Sequence, residues 1–170
     1  MEGCVSRELE VNVSASETWK AYGSLLLAQI AVDAFPETYS GFTVLEGNGH
    51  AGTIIQVFLA PGGEGPSSYK EKFLVVDDVK RVKLGEIIEG GPLEQGFKSY
   101  LTRLEAIKKK GKKDECIMIG TIEYVLKDES ALPLVSSNLE GLYNIMKAVA
   151  DYVTNHHHHH HHHHTTTTSD

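Results

Sequence analysis

The chain is poor in cysteine and has no long apolar run. Cys4 and Cys116 are its two cysteines, and it opens MEGCVSRELEV without a stretch that could act as a signal peptide or span a bilayer. Two cysteines in a chain of this size are not the pattern of a disulfide scaffold. We therefore expect a reduced, cytoplasmic protein that has no structural disulfide and no membrane partner.

Positive charge is also scarce. The chain has 16 Lys and Arg against 23 Asp and Glu, which gives a formal net charge of -7. Such a balance disfavours polyanions, so we expect no nucleic-acid partner. A small organic or cationic ligand fits better. With 170 residues the chain suits one domain that is large enough to enclose a cavity.

The C-terminal residues lack what a core needs. Nine consecutive histidines, His156 to His164, are followed by TTTTSD, and a segment of such low complexity does not pack. We expect one domain over residues 1–154 and a disordered His/Thr-rich tail over 155–170. The tail is either an expression tag or native, and its imidazoles favour nickel or zinc affinity in both cases.

One motif suggests a nucleotide site. Gly47, Gly49 and Gly52 have the spacing G-x-G-x-x-G, which binds pyrophosphate where a helix follows, because the helix N-terminus supplies free N–H groups. The β-branched run Thr53–Leu59 follows here and predicts a strand. We interpret the motif as a glycine-rich hairpin loop. His50 within it has no partner ligand at metal-binding spacing, so we expect no metal site.

The pattern along the chain predicts an α+β fold. Alternation over Val5–Val13 indicates a first strand, a capping box at Ser14 starts a short helix, and a second helical stretch covers Leu25–Phe35. Turn-rich segments then separate six further strands: Phe42–Glu46, Thr53–Leu59, Tyr69–Asp77, Arg81–Glu89, Phe97–Ile107 and Cys116–Leu126. A capping box at Ser137 precedes a long amphipathic helix that ends near Val153. We expect a curved, seven-stranded antiparallel sheet around this last helix.

The order of elements over residues 5–154 resembles the Bet v 1 superfamily of plant pathogenesis-related proteins, which have the START-like helix-grip fold. The resemblance implies a large apolar cavity that binds plant hormones, flavonoids or sterol-like ligands. The segments SYKEKF (68–73), KRVK (80–83) and IEGGPL (88–93) are similar to collinear motifs of the norcoclaurine synthase branch. Members of that branch, norbelladine synthase-like proteins included, condense dopamine or tyramine with an aryl aldehyde in alkaloid biosynthesis.

The resemblance implies three catalytic residues. Lys83 matches the family's lysine, which would protonate the oxygen that leaves the carbinolamine, and Glu71 matches the carboxylate that would accept the ring proton. Tyr69 matches the tyrosine at the cavity mouth. Thr102 stands where the branch has an aspartate, and Pro92 replaces its usual aromatic residue. No cofactor is implied, and the expected partners are a small-molecule amine and aldehyde.

The remaining site residues follow from the same resemblance and from strand alternation. Tyr69, Glu71, Phe73 and Val75 are expected on one face of their strand, whereas the face that carries Lys83 is mixed and does not separate cavity from solvent. Substrate binding is assigned to Phe58, Phe73, Tyr100, Thr102 and Leu104.

Two alternatives stay open. A Lys or Glu in a half-buried strand is commonly solvated on the outer face, and the same cavity serves a non-catalytic carrier or hormone receptor equally well. Lys83 and Glu71 favour the enzyme, because a carrier needs neither an acid nor a base. We expect a monomer or a weak dimer.

Overall fold

The fold consists of an antiparallel sheet and three α-helices. The computed structural model describes residues 1–156 with their side chains and assigns backbone structure as far as Ser169. The strands are β1 (Glu2–Val11), β2 (Tyr39–Glu46), β3 (Ile54–Leu59), β4 (Ser68–Asp77), β5 (Val82–Gly90), β6 (Phe97–Lys109) and β7 (Lys112–Leu126). The helices are α1 (Ala15–Tyr22), α2 (Leu26–Ala34) and α3 (Leu132–Ser169), with 3-10 turns at Gly91–Glu94 and Glu129–Ala131.

All seven strands form one sheet in the order β1-β7-β6-β5-β4-β3-β2. Strands β2 to β7 pair with their chain neighbours, and β1 pairs antiparallel with β7, the last strand. The first strand is thereby one edge of the sheet, and β2 is the other. This confirms the predicted α+β fold with a curved seven-stranded antiparallel sheet and a long C-terminal helix.

Helix α3 packs closely on the sheet at Gly120 of β7. A Cβ at that position would lie 2.6 Å from Met146 Sδ and 3.0 Å from a Leu142 methyl group. Met146 and Val149 are fully buried in the core that α3 shares with α1 and the sheet. The absence of a side chain at Gly120 therefore allows α3 to lie close to β7 at Leu142 and Met146.

The start of the last helix was predicted wrongly. Helix α3 begins at Leu132 rather than after a capping box at Ser137, whose Oγ donates a hydrogen bond to the Leu134 carbonyl within the first turns. The preceding 3-10 turn is capped by Asp128, which accepts a hydrogen bond from the Ser130 N–H. Proline is tolerated in the first turn because no N–H is needed there, so Pro133 does not delay the helix.

The N-terminal predictions agree better with the structure. Ser14 accepts a hydrogen bond from the Glu17 N–H at 3.2 Å and caps α1, as predicted. Strand β1 ends at Val11, two residues before the predicted end. The disordered tail predicted for 155–170 stays a prediction: helix α3 is assigned through it as far as Ser169, and side chains are described to residue 156. No helix in the described part of the chain is both long and apolar enough to cross a membrane.

Candidate active site

A cavity of about 400 Å³ lies between the sheet, α2 and α3. Strands β2 to β6, the turn at Gly91–Glu94 and the N-terminal half of α3 contribute its walls, which are largely apolar. Among the described residues, Glu71 and Lys83 are the only charged side chains that line it. They lie on the adjacent strands β4 and β5, so that one carboxyl and one ammonium group share a common apolar space.

Strand alternation explains why these two residues face inward. On β4, Tyr69, Glu71 and Phe73 line the cavity, as predicted. On β5 every second residue lines it, namely Lys83, Gly85 and Ile87. The prediction was wrong for Val75, which is exposed to solvent. A register shift between Phe73 and Val75 inserts one extra residue into β4, and such a bulge reverses the faces beyond it.

Lys83 is deeply buried. Its side chain is 4% exposed, and Nζ lies 3.8 Å from the centroid of the Phe73 ring. Among the side-chain hydrogen bonds and ion pairs of the described residues, none involves the ammonium. Burial lowers the pKa of Lys83, and the negative charge of Glu71 opposes that effect. The ammonium is therefore held by a ring face and is free to donate a proton to a ligand.

Glu71 points across β5. A Cβ built on Gly85 would lie 2.9 Å from the Glu71 Cδ atom, so the carboxylate occupies the space above that glycine. Burial raises the pKa of Glu71, and Lys83 lowers it by less. The two groups influence each other without forming an ion pair among the described residues. Their pKa values are thus moved toward each other, which suits a proton donor and a proton acceptor.

Three tyrosines, Tyr39, Tyr69 and Tyr100, line the cavity together with the carboxylate. Burial raises the pKa of Tyr69, with further contributions from Tyr39, Glu71 and Tyr100. The pKa of Tyr100 is raised as well, mainly by burial, and the Asn138 side chain lowers it by less. These phenols remain neutral hydrogen-bond donors at physiological pH. Their hydroxyl groups add to the polar groups of the wall, and Tyr69 packs against Gly91 in the turn that carries Pro92.

The structure brings most of the predicted substrate-binding residues together. Phe73, Tyr100, Thr102 and Leu104 all line the cavity. Thr102 pairs with Gly85 across β5 and β6, and Leu104 pairs with Lys83. The position where the norcoclaurine synthase branch has an aspartate therefore presents a hydroxyl group to the cavity.

Phe58 does not line the cavity, and this prediction was wrong. Its side chain is 38% exposed, because the inward positions of β3 are the alternate residues Ile55, Val57 and Leu59. The hydrophobic character of Phe58 did not indicate which face of β3 carries it, because apolar residues occur on both faces of this strand. Alternation counted from a known inward residue would have found the error.

Sequence reasoning missed two parts of the wall. Tyr39 lines the cavity from β2, which begins three residues before the predicted start at Phe42. Pro36 and Gly41, on either side of Tyr39, are residue types common in loops. Helix α2 contributes Leu25 at its N-terminus and several residues of its first turns. Their helical spacing was visible in the sequence, although not the face that meets the sheet.

The glycine-rich segment is a loop between β2 and β3, as predicted. Gly47, Gly49 and Gly52 have φ values of 83°, 108° and 94°, in the region that favours glycine. The Gly52 N–H donates to the Phe73 carbonyl at 2.8 Å, which ties the loop to β4. A strand rather than a helix follows the loop, so the N–H groups that would hold a pyrophosphate are not supplied.

Comparisons with known proteins agree with this architecture. The model of the pathogenesis-related protein Bet v 1 family matches residues 1–156. Norbelladine synthase of Narcissus pseudonarcissus is 35% identical over 153 residues, covering 90% of this chain and 93% of that protein. S-norcoclaurine synthase 2 of Papaver somniferum is 32% identical over 148 residues, covering 86% of this chain and 63% of that protein.

A solved structure is similar over the same region. The X-ray structure of norcoclaurine synthase from Thalictrum flavum in complex with dopamine and hydroxybenzaldehyde has a TM-score of 0.76 and 32% identity. The match covers 92% of this chain and 88% of that one. The similar proteins therefore include enzymes named for their products and one crystallised with an amine and an aldehyde.

Proposed function

Because the chain belongs to the pathogenesis-related protein Bet v 1 family, we propose that it condenses an arylethylamine with an aryl aldehyde in plant alkaloid biosynthesis. The reaction stops at the imine or continues by the Pictet–Spengler route. One observation carries the proposal: Glu71 and Lys83 are the only charged side chains that line the cavity within the described residues. The similarity to norbelladine and norcoclaurine synthases supports the same chemistry.

The first step needs a proton donor. The amine nitrogen attacks the aldehyde carbon to give a carbinolamine, and loss of its hydroxyl group as water gives an iminium ion. Lys83 is positioned in the apolar cavity to protonate the departing oxygen, and its lowered pKa favours that transfer near neutral pH. Loss of the iminium N–H proton to Glu71 then yields a neutral imine.

The second step, where it occurs, needs a base. The electron-rich ring attacks the iminium carbon, and a new C–C bond forms at the cost of ring aromaticity. A ring proton must then leave, and Glu71 is the only carboxylate that lines the cavity among the described residues. Its negative charge also stabilises the cationic intermediates, because the surrounding walls exclude water.

A non-catalytic carrier is the second candidate function. The observation that favours it is Thr102, which presents a hydroxyl group where the resemblance to norcoclaurine synthases implies an aspartate, in a cavity with largely apolar walls. A carrier for an apolar plant metabolite would use the volume and the tyrosine hydroxyls, and it would bind equally well after substitution of Lys83 by an uncharged residue.

Turnover separates the two candidates. Purified protein is incubated with dopamine or tyramine and a panel of aryl aldehydes, and imines are trapped by borohydride reduction while cyclised products are resolved by chiral chromatography. We expect acceleration over buffer, and enantiomeric excess for any cyclised product. Racemic product at the buffer rate would exclude the enzyme and leave the carrier.

Matched lysine variants complete this experiment. Lys83→Met removes the buried ammonium, whereas Lys72→Met removes an exposed one from the neighbouring strand β4. We expect Lys83→Met to lose about 100-fold or more in kcat and Lys72→Met to keep the wild-type value. Equal activity in both variants would contradict the role of Lys83.

We also propose a cytoplasmic location. Both cysteines are free thiols, Cys4 exposed and Cys116 buried, and exposed free thiols persist in reducing compartments. Fractionation of plant tissue with an antibody against the protein checks this proposal.

A further inference from the structure

Gly85, at the centre of β5, lies beneath the Glu71 carboxylate. We propose that Gly85 is a positioning residue of the active site: because it has no Cβ, the Glu71 carboxylate extends across β5 toward Lys83. The catalytic part of this inference rests on the proposed condensation. The structural part is that Gly85 sets the position of the Glu71 carboxylate relative to Lys83, and it does not depend on the proposed condensation.

The space above Gly85 is filled by Glu71 alone. A Cβ on Gly85 would overlap the Oε2 atom and lie 2.9 Å from Cδ and 3.2 Å from Cγ of Glu71, and all three of its nearest neighbours belong to that side chain. Real Cβ atoms do not approach other heavy atoms below about 3.0 Å. Any other residue at position 85 would therefore displace the carboxylate.

The backbone conformation at position 85 does not require glycine. Gly85 is absent from the glycines with positive φ, and it pairs with Phe73 of β4 on one side and Thr102 of β6 on the other. Glycine in a strand interior is destabilising relative to alanine, because it loses more backbone freedom on folding. Such a residue in a central strand marks a place where another group approaches closely. Here that group is the Glu71 carboxylate.

Strand register gives the direction of the displacement. Glu71 pairs with Ile87, whereas Gly85 pairs with Phe73, so the carboxylate leans along β5 past its own partner. Lys83 is the next inward residue of β5 beyond Gly85. Because Gly85 has no side chain, the carboxylate can occupy the space between its own strand position and Lys83. A Cβ placed there would move the carboxylate away from the ammonium.

Several titratable groups face Glu71 and define the consequence of this displacement. They are Lys83 from β5, Tyr69 from β4 and Tyr100 from β6, and Tyr39 from β2 faces the two tyrosines. Lys83 is the only one of them that lowers the pKa of Glu71. A carboxylate moved away from Lys83 keeps its burial and loses that compensation, so its pKa rises further.

The test uses Gly85→Ala and a matched control. Gly41→Ala replaces another strand glycine, in β2, whose Cβ would meet nothing within 4 Å. We expect Gly85→Ala to lower kcat for the amine–aldehyde condensation at least about tenfold and to move the acid limb of its pH–activity profile to higher pH. Gly41→Ala should keep the wild-type kcat and the wild-type acid limb. Melting temperatures of both variants show that the loss of activity is not a loss of fold.

A double-mutant cycle makes the test specific. Glu71→Asp shortens the side chain by one methylene, so that no atom occupies the Oε2 position, which the methyl group of Gly85→Ala would overlap most severely. In that background we expect Gly85→Ala to cost less than about threefold in kcat, because the pair acts as a unit. Equal losses in both backgrounds would overturn the inference, as would wild-type kcat in Gly85→Ala.

A measurement without substrate separates this inference from the proposed function. The Glu71 carboxyl is titrated by carbon-13 NMR in the wild type, Gly85→Ala and Gly41→Ala. We expect a higher pKa in Gly85→Ala alone, and an unchanged pKa would overturn the positioning role. If the wild type accelerates no condensation, the proposed function fails, while the titration still decides the role of Gly85.

Discussion

The Lys83 Nζ atom lies 3.8 Å from the centroid of the Phe73 ring, on the neighbouring strand. The ring face carries partial negative charge and attracts the ammonium, which partly offsets the loss of water around it. Phe73 is itself 1% exposed and fixed by the packing of β3 and β4. The apolar wall of the cavity therefore also stabilises its single positive charge.

Phe73→Leu tests that stabilisation. Leucine keeps the position apolar and removes the ring, so the charged form of Lys83 becomes less favourable and its pKa falls below the wild-type value, which burial already lowers. We expect the alkaline limb of the kcat/KM profile to move to lower pH. An alkaline limb unchanged from wild type would show that the ring contact has no electrostatic role.

The pH profile of the wild type follows from the two shifted groups. Glu71 must be ionised to accept a proton, and its pKa is raised above 4.5, so activity should increase with pH through a midpoint above that value. Lys83 must be protonated to donate, and its pKa is lowered below 10.5, so activity should fall before that pH. The expected profile of kcat/KM is a bell whose limbs belong to the coupled pair.

Glu71→Gln is the control for the acid limb. It preserves the size of the side chain and removes the titrating group, so the residual activity should lose its acid limb and keep its alkaline limb. Persistence of the acid limb would assign it to another residue.

Thr102→Asp introduces the acid that the resemblance to norcoclaurine synthases implies for this position. Thr102 lies opposite Gly85, beneath the Glu71 carboxylate, so a second carboxylate there disfavours ionisation of the first. We expect the acid limb to move upward by about one pH unit. Thr102→Asn supplies the same shape without the charge and should leave the limb in place. Equal profiles for both variants would mean that position 102 is remote from the base.

Phe58 and Val57 test the assignment of the two faces of β3. Phe58→Ala changes an exposed side chain, whereas Val57→Ala removes apolar surface from the cavity wall. We expect Phe58→Ala to keep the affinity for the fluorescent apolar probe ANS and Val57→Ala to lose about tenfold. The opposite order in a fluorescence titration would return Phe58 to the binding site.

Tyr22 provides a stability prediction far from the chemistry. Its side chain is fully buried, and its hydroxyl donates to the Ile119 carbonyl at 2.7 Å. Tyr22→Phe leaves that carbonyl without its donor and should lower the free energy of unfolding by about 1–3 kcal/mol, measured by urea denaturation. Tyr143→Phe is the matched control, because its ring contacts Arg7 and its hydroxyl has no protein hydrogen bond within the described residues.

The fold could be predicted from the sequence because local signals and topology agree. Alternation and turn chemistry located all seven strands, and the Ser14 cap was visible in the sequence. The inward face of each strand was harder to predict, because alternation divides the residues into two sets without indicating which set faces the cavity. A single bulge after Phe73 was enough to move Val75 to solvent.

The arrangement at Glu71 was not predictable for another reason. Nothing local distinguishes Gly85 from a turn or bulge glycine, since its role depends on a side chain on another strand. Tyr39 was missed because its strand begins among residues typical of loops. Long-range contacts of this kind become visible only once the register of β4 on β5 is known.

The division of the cavity between elements has an evolutionary consequence. Both charged side chains lie on the central strands β4 and β5, whereas much of the remaining wall belongs to α2, β2, α3 and the turn that carries Pro92. Substitutions in those outer elements would reshape the space for the ligand without disturbing Lys83 and Glu71, the proposed proton donor and acceptor. A lineage built on this scaffold can therefore diversify the molecules it accepts while one set of reacting groups is inherited unchanged.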